Sequence, residues 1–440
     1  MVLLARKLMM QKLLIIGGGP KAMAVVAKVH VLRELGFAVP DITVVEPVAV
    51  GANWMSEGGW TSGKHRLGTS PSKDVGFPYH STWARGFNAA VNEAMLAFSW
   101  NSFLVDRGAY ADWVDRGQPS PPHHLWAKYL QWVARQVDYH HVVGAASGLR
   151  IDGDRWVVSV DSDAGRIALD ADAVMMTGPG SSRGVLAEHP KVLSIARFWE
   201  LASRRELPAT VRAAVVGGGE TAASALDELL NHDMMSISAI SPAATLYTRG
   251  ESYFENSLYS NPATWRSLSL AERRDVLRRT DRGVFSVRVQ ESLLGDERVH
   301  HLQGRVTRAR AQGDGVAVTL SNQGRADEVH SFDLVIDATG GNPLWFLALM
   351  DAETRDIVEL SLSGSPTQAR IESSIGYDLG VDGLPAKLYL PNLAGVAQGA
   401  GFPNLSCLGE LSDRVLSGCT TRPDDVSTGS GRMSETSKLG

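Results

Sequence analysis

Two glycine-rich turns are the residues of this chain best suited to chemistry. Lys12-Leu-Leu-Ile-Ile16 reads as a short apolar strand and runs into Gly17-Gly-Gly-Pro-Lys-Ala22. Apolar residues then recur at helical spacing up to a stop at Gly36. A second strand over 41–45 ends in Glu46. In this setting every position serves a distinct purpose. Gly17 permits the tight turn, Gly19 lets a pyrophosphate reach the backbone, Ala22 lets the helix pack on the sheet, and Glu46 accepts from a ribose hydroxyl. The helix N-terminus, opened by Pro20, adds amide donors and partial positive charge for the phosphates. The pattern returns as a strand over 212–216, the turn Gly217-Gly-Gly-Glu-Thr-Ala222, a helix over 223–230 and a strand over 237–240. Gly217, Gly219, Thr221 and Ala222 take the corresponding places. No acid ends this second strand. Ser241 stands there and Arg249 follows, a combination that suits a 2′-phosphate and hence NADPH, with a surface arginine as the competing reading.

Two dinucleotide turns in one chain imply two cofactors placed to exchange electrons, in the usual order FAD first and NADPH second. Disulfide reductases share that layout but need a redox cysteine pair. Cys407 and Cys419 are the only cysteines, too far downstream and too widely spaced for Cys-x-x-Cys chemistry. The electrons therefore go elsewhere, most simply to oxygen. Other suggestive strings lack their partners. Gly58-x-x-x-x-Gly63-Lys64 is followed by His65 rather than Ser or Thr, which removes the magnesium-binding hydroxyl of a nucleotide-hydrolysing loop. The pairs His123-His124, His140-His141 and His300-His301 point to different faces and have no spaced ligand partners, so no metal site is expected. No Gly-x-Ser-x-Gly nucleophile turn is present.

The elements that must position these turns fit an ordinary globular composition. The 440 residues suggest two or three domains at roughly 150 residues each. With 43 basic and 48 acidic residues and a net charge of −5, the chain is not built as a general nucleic-acid binder. No apolar run approaches the ~18 residues of a membrane span. The start runs too soon into a glycine turn to be a signal peptide, so a reducing, cytoplasmic compartment is expected. The stretch 50–122 is irregular and rich in Gly, Pro, Ser and Trp, as functional loops are. An amphipathic helix over 124–134 and strands over 155–160 and 172–176 follow. A third strand-to-glycine junction, 333–337 into Ala338-Thr339-Gly340, is assigned with the first turn to FAD. The tail 421–440 is polar and small and is expected to be disordered.

Several longer strings carry a resemblance. Gly17-Gly-Gly-Pro-Lys-Ala, Val50-Gly-Ala-Asn-Trp54, His65-Arg-Leu-Gly-Thr-Ser-Pro71, Lys73-Asp-Val-Gly-Phe-Pro-Tyr79, Gly217-Gly-Gly-Glu-Thr-Ala-Ala223, Phe254-Glu-Asn-Ser-Leu258, Thr280-Asp-Arg-Gly-Val-Phe-Ser286 and Gly401-Phe-Pro-Asn-Leu-Ser-Cys-Leu-Gly409 together resemble the flavin-dependent N-hydroxylating monooxygenases. Within that family the chain is most similar to the lysine N6-hydroxylases of mycobactin-type siderophore biosynthesis, over nearly all of residues 10–418. The resemblance implies an α/β protein with two Rossmann-like dinucleotide-binding domains and a small substrate-binding region. An FAD domain would come from both ends of the chain (1–200 and 330–420), with an NADPH domain inserted at 205–329. It implies Trp54 near the flavin, Lys73 on the substrate carboxylate, Asn256 on the substrate backbone, and Asn404, Leu405 and Ser406 in a loop beside flavin and substrate. Homo-oligomers occur in the family, with no interface readable here. Three positions depart from many relatives: Val192-Leu193-Ser194 replaces a His-Ser pair, Val284 replaces an ornithine-contacting Asn, and Gly68 replaces a Gln.

The reaction so implied takes L-lysine, NADPH and O₂ to N6-hydroxylysine, water and NADP through a flavin C4a-hydroperoxide. The alternatives are the same chemistry on L-ornithine or on a lysine-containing precursor, or an uncoupled NADPH oxidase releasing hydrogen peroxide. Attack by the amine needs a free lone pair, and at an ordinary lysine pKa of ~10.4 almost no amine is neutral at pH 7. Burial and a positive neighbour would lower that value, and no carboxylate is expected to face the reacting nitrogen. The Trp-rich loop from Asn53 to Trp100 is either a wall that excludes water or part of the core.

Overall fold

The structure, a computed structural model, describes residues 12–420 apart from 83, 85, 181–185, 187, 188 and 323. The tail expected to be disordered lies outside the described residues. Sixteen strands form two parallel and two antiparallel sheets among the described residues. In chain order they are β1 (Lys12–Ile16), β2 (Asp41–Glu46), β3 (His140–Val143), β4 (Ala145–Asp152), β5 (Arg155–Ser162), β6 (Gly165–Ala171), β7 (Ala173–Met176) and β8 (Val192–Ser194). There follow β9 (Arg212–Val216), β10 (Ser236–Ser241), β11 (Val299–Gln303), β12 (Arg305–Gln312), β13 (Gly315–Ser321), β14 (Glu328–Phe332), β15 (Leu334–Asp337) and β16 (Lys387–Tyr389).

The first parallel sheet runs β16-β7-β1-β2-β3 and the second β8-β15-β9-β10-β11. The two have one layout. Each has a glycine turn after its central strand, and each sends a three-stranded antiparallel sheet out between its last edge strand and the strand that returns beside the centre. The reason lies in the residues: β1, β7, β9 and β15 are continuous apolar runs, and such runs need cover on both faces. The helix Pro20–Glu34 supplies cover for the first sheet and is itself buried along most of its length, between that sheet, the helix His123–Ala134 and the C-terminal helix Leu408–Ser417.

Two expectations are corrected. The NADPH-type lobe does not stop at 205–329: β8 pairs with β15 and β15 with β9, so the second sheet spans 192–337. The sequence alone cannot tell which sheet an apolar strand joins, because that is decided by pairing with residues far away in the chain. Gly340 moves for the same reason. It follows β15 at the carboxyl end of the second sheet, while Thr177-Gly178 fill the equivalent place after β7 in the first. The stretch 50–122 is irregular as expected, with helices at Asn88–Met95, Trp100–Asp106 and Tyr110–Asp115. Its tryptophans divide. Trp100 is fully buried and meets the rings of Phe103, Trp113, Trp126 and Tyr129, so it belongs to the core.

One charged pair fastens the two ends of the chain. Lys28 on the first helix meets Asp413 on the C-terminal helix at 2.6 Å, with side chains 2% and 3% exposed, and also donates to the Ser81 hydroxyl. Removing one partner strands the other charge in the core, at a cost of about 3–5 kcal/mol. Asp413→Ala is expected to lower the thermal midpoint of the FAD-loaded protein by many degrees. An unchanged melting curve would show that the pair does not hold the termini together.

Candidate active site

The first turn has the shape an adenine dinucleotide needs. Gly17 sits at φ +102°, and a Cβ there would lie 2.5 Å from Thr177 Oγ1, so no side chain fits. Around Gly19 the space is open. Pro20 opens the helix, no side chain caps its N-terminus, and its first turn holds no acid. Amide donors and dipole are thus left for an anion. Ala22 is fully buried against the sheet. Glu46 at the end of β2 accepts from the amides of Gly18 (2.9 Å) and Val48 (3.1 Å), which fixes the carboxylate beside the turn.

The second turn repeats this with differences. A Cβ on Gly217 would collide with the Ala338 carbonyl, Gly219 precedes an uncapped helix Glu220–Leu229, and Ala222 is fully buried. Glu220 in the first helical turn accepts from the Ser286 amide at 2.8 Å. Ser241 at the end of β10 faces His301 Nε2 at 3.1 Å. Arg249 is no free surface arginine: it donates to the Gly68 carbonyl at 2.9 Å and pairs with Glu251 at 2.7 Å. Both turns fit the dinucleotides assigned to them from sequence.

Between the lobes lies a cleft of about 1600 Å³. It brings together the five candidate substrate residues, Lys73, Asn256, Asn404, Leu405 and Ser406, with Trp54, Thr221 and Arg249. Lys73 Nζ donates to Asn256 Oδ1 at 3.1 Å and approaches Ser406 Oγ at 3.4 Å. Asn256 Nδ2 donates to the Glu251 carbonyl at 2.7 Å. Asn404 Oδ1 accepts from the Ser406 amide at 2.9 Å, and Leu405 packs on the first core. Trp54 and Trp60 face this cleft, so they form the wall that Trp100 does not. The Trp54 ring meets His123 edge-on at 4.9 Å.

The loop that carries Lys73 is fixed by its neighbour. Asp74 is 2% exposed and accepts from the Trp100 amide (2.8 Å), the Gly76 amide (3.2 Å) and the Tyr79 hydroxyl (2.7 Å). Burial raises its pKa to about 6, and these donors hold it back from rising further. Burial lowers the Lys73 ammonium, and the Arg249 charge lowers it again. The same positive potential would act on an amine bound nearby. The carboxylates at the cleft are engaged: Glu220 on Ser286, Glu251 on Arg249, and Asp227 with Glu228 on His65.

The sequence reading gave no role to two residues that the structure makes prominent. Lys21, directly after the first turn, is 8% exposed and donates to the Pro403 carbonyl at 2.7 Å, which ties the turn to the 404–406 loop. Burial lowers its pKa to about 8 against the opposing pull of Cys407 and Asp281. A lysine in an apolar helical run was the available signal. His65 pairs with Asp227 at 3.0 Å and Glu228 at 3.6 Å on the second lobe, partners that no local spacing announces. The histidine pairs form no group of three metal-ligating side chains among the described residues.

Known proteins match this architecture closely. The family profile described as L-lysine 6-monooxygenase/L-ornithine 5-monooxygenase matches residues 91–342. The L-lysine N6-monooxygenase MbtG of Mycolicibacterium paratuberculosis is 51% identical over 418 residues, covering 94% of this chain and 96% of its own. MbtG of Mycobacterium tuberculosis is 50% identical over 408 residues, with 92% and 94% covered. Among solved structures, the lysine monooxygenase NbtG from Nocardia farcinica, described for an unprecedented NADPH domain conformation, superposes with a TM-score of 0.84 at 66% identity, covering 92% of this chain and all of its own. The Kutzneria sp. 744 ornithine N-hydroxylase KtzI shares the fold at 18% identity, with a TM-score of 0.69 and 92% and 98% covered. The chain therefore belongs to the L-lysine 6-monooxygenase/L-ornithine 5-monooxygenase family.

Proposed function

We propose that this chain is an L-lysine N6-monooxygenase that uses FAD, NADPH and O₂ to hydroxylate the side-chain amine of L-lysine for hydroxamate siderophore biosynthesis. The observation that carries the reading is the cluster of Lys73, Asn256 and Ser406 in a cleft walled by both glycine-turn lobes. The names of the MbtG and NbtG relatives support lysine as the substrate.

The lobe of β1 is assigned to FAD and the lobe of β9 to NADPH. Gly17, Gly19, Pro20, Ala22 and Glu46 would hold FAD, and Gly217, Gly219, Thr221 and Ala222 would hold NADPH. The bound flavin, reduced by NADPH, supplies the activated oxygen that the protein cannot make from its own side chains. The chain's residues do the rest. The Lys73 ammonium anchors the substrate carboxylate, and the Asn256 amide contacts the substrate backbone from the opposite wall. Anchoring one end of a flexible amine sets how far the other end reaches, and transfer of oxygen needs close approach. Burial together with the charges of Lys73 and Arg249 favours the neutral, nucleophilic amine. Trp54 and Trp60 narrow the cleft to water. A cytoplasmic setting is proposed as well. Cys407 and Cys419 are free thiols, and among the described residues no helix is long and apolar enough to cross a membrane.

With FAD and NADPH, hydroxylamine product is expected from L-lysine and far less from L-ornithine, since one methylene in a pocket is worth ~1–3 kcal/mol. NADPH consumption that yields only hydrogen peroxide with both amines would overturn lysine as the productive substrate. Lys73→Met is expected to raise KM for lysine by roughly tenfold or more while FAD content stays unchanged, as loss of a charged hydrogen bond costs about 1.5–3 kcal/mol. An unaltered KM would remove Lys73 from the anchor. Gly17→Ala should yield protein poor in FAD, whereas Gly217→Ala should keep its FAD and lose affinity for NADPH. The reverse pattern would exchange the cofactor assignments of the two lobes.

A further inference from the structure

The two lobes meet at several places, and one short segment gathers four of the contacts. Residues 65–68 belong to the loop region attached to the first lobe, and each of them touches the second. His65 pairs with Asp227 at 3.0 Å and Glu228 at 3.6 Å on the helix that follows the second glycine turn. Arg288 donates to the carbonyls of Arg66 (3.1 Å) and Leu67 (2.8 Å), and Arg249 donates to the carbonyl of Gly68 (2.9 Å). The two arginines stay charged at any working pH. Histidine is the member of this set whose charge can change.

The surroundings of His65 are built to hold it as a cation. Its side chain is 10% exposed, and its ring lies edge-on to Trp199 at 5.2 Å. From the helix Glu220–Leu229 it faces Asp227 and Glu228, and Glu228 also meets His232 at 3.7 Å. From its own loop, Lys64 lies near Glu228. From the helix His123–Ala134 it faces His123 at a ring separation of 6.2 Å, and from the helix Val287–Leu294 Arg288 acts on Asp227 and His123. Burial alone would push the His65 pKa down, but the two carboxylates outweigh it and raise it to about 9. His123 goes the other way. Burial, then the charges of His65 and Arg288, lower it to about 3, and its Nδ1 shares a hydrogen with the Thr61 hydroxyl at 2.9 Å. One imidazole of the pair is thus charged and ion-paired across the lobes, and the other is neutral and hydrogen-bonded within the first.

We propose that His65, with Asp227 and Glu228, is a positioning clasp that holds the helix of the second glycine turn against the first lobe in the arrangement in which NADPH reduces FAD. The reason for reduction rather than oxygen transfer is location. The clasp lies on the stretch of cleft wall that includes Ser224, Asp227 and Glu228, and it fixes the helix whose N-terminus would receive the nicotinamide cofactor. The sign with pH follows from the raised pKa. The charged clasp is complete below the ordinary histidine value near 6.5 and is lost as pH rises through about 9. On the acid side, Asp227 and Glu228 are held below their usual values, so the clasp survives into mildly acidic solution.

The inference rests on the monooxygenase reading for its rate measurement but not for its structural one. The test uses the FAD-loaded enzyme, with His65→Gln and, from the other lobe, Asp227→Asn. Without NADPH, amide hydrogen exchange over 62–70 and 220–232, corrected for the intrinsic effect of pH, should rise in wild type between pH 7.5 and pH 10. It should already be high at pH 7.5 in both variants. With NADPH, stopped-flow flavin reduction in wild type should fall through about pH 9, whereas each variant should be slower by roughly ten- to a hundredfold at pH 7.5 and lack that inflection. Lys21, whose pKa is also near this range, remains in both variants, so a retained inflection would assign the titration elsewhere and overturn the clasp. Variants with wild-type exchange or wild-type reduction rates would do the same. If NADPH reduces no form of the enzyme while the exchange pattern appears as described, the clasp stands and the redox reading fails.

Discussion

The cleft depends on one buried carboxylate. Asp74 is 2% exposed, and three donors converge on it: the amides of Trp100 and Gly76 and the hydroxyl of Tyr79. An irregular loop cannot place an ammonium group by its own backbone preferences. It needs an internal post, and a charged acceptor shared among donors from three points of the chain is a strong one. Val75 adds its amide to the Tyr129 hydroxyl, and Gly409 donates to the Phe77 carbonyl. Lys73 therefore enters the cleft from a segment fastened to the helix His123–Ala134, to the helix Trp100–Asp106 and to the start of the C-terminal helix. Its partners on the opposite walls, Asn256 and Ser406, lie 183 and 333 residues away in sequence.

That arrangement explains what could be read from the sequence. The two glycine turns, their strands and their helices were legible because each is a local pattern, an apolar run followed by a turn that tolerates no side chain. Of the antiparallel sheets β4-β5-β6 and β12-β13-β14 only β5 is legible, through the buried alternation of Trp156, Val158 and Val160, while outer strands such as β6 and β12 expose most of their residues and carry little pattern. The sheet to which β8 and β15 belong was misassigned because an apolar tetrapeptide such as Leu334–Asp337 carries no mark of its neighbours. Gly340 followed its strand to the wrong lobe.

The substrate residues were legible only through family resemblance. Nothing in the spacing of Lys73, Asn256 and Ser406 announces that they meet. The tryptophans show the same limit. Trp54, Trp60 and Trp100 belong to one stretch of similar composition, yet the first two face the cleft and the third is sealed in an aromatic cluster. What separates them is the helix His123–Ala134, whose Trp126 and Tyr129 close over Trp100. His65 was quoted within a family string without a role because its role lies entirely in Asp227 and Glu228.

The pairing of the first helix with the last has a consequence for synthesis. The second lobe is contiguous, from β8 to β15, and contains its own core around Val215, Ile237 and Ile336. Its sheet and that core can close while the rest of the chain is still being made, although Tyr259, Trp265 and Leu277 wait for Val396 and Ala400. The first lobe cannot. Its sheet waits for β16, its β7 turn waits for Asn392, and the Lys28 ammonium waits for Asp413. Until residue 413 clears the ribosome, the apolar helix after the first glycine turn is a sticky, half-covered surface. The nascent chain therefore holds its oldest structured segment open longest, and chaperone demand should fall on the N-terminal lobe, although it is synthesised first.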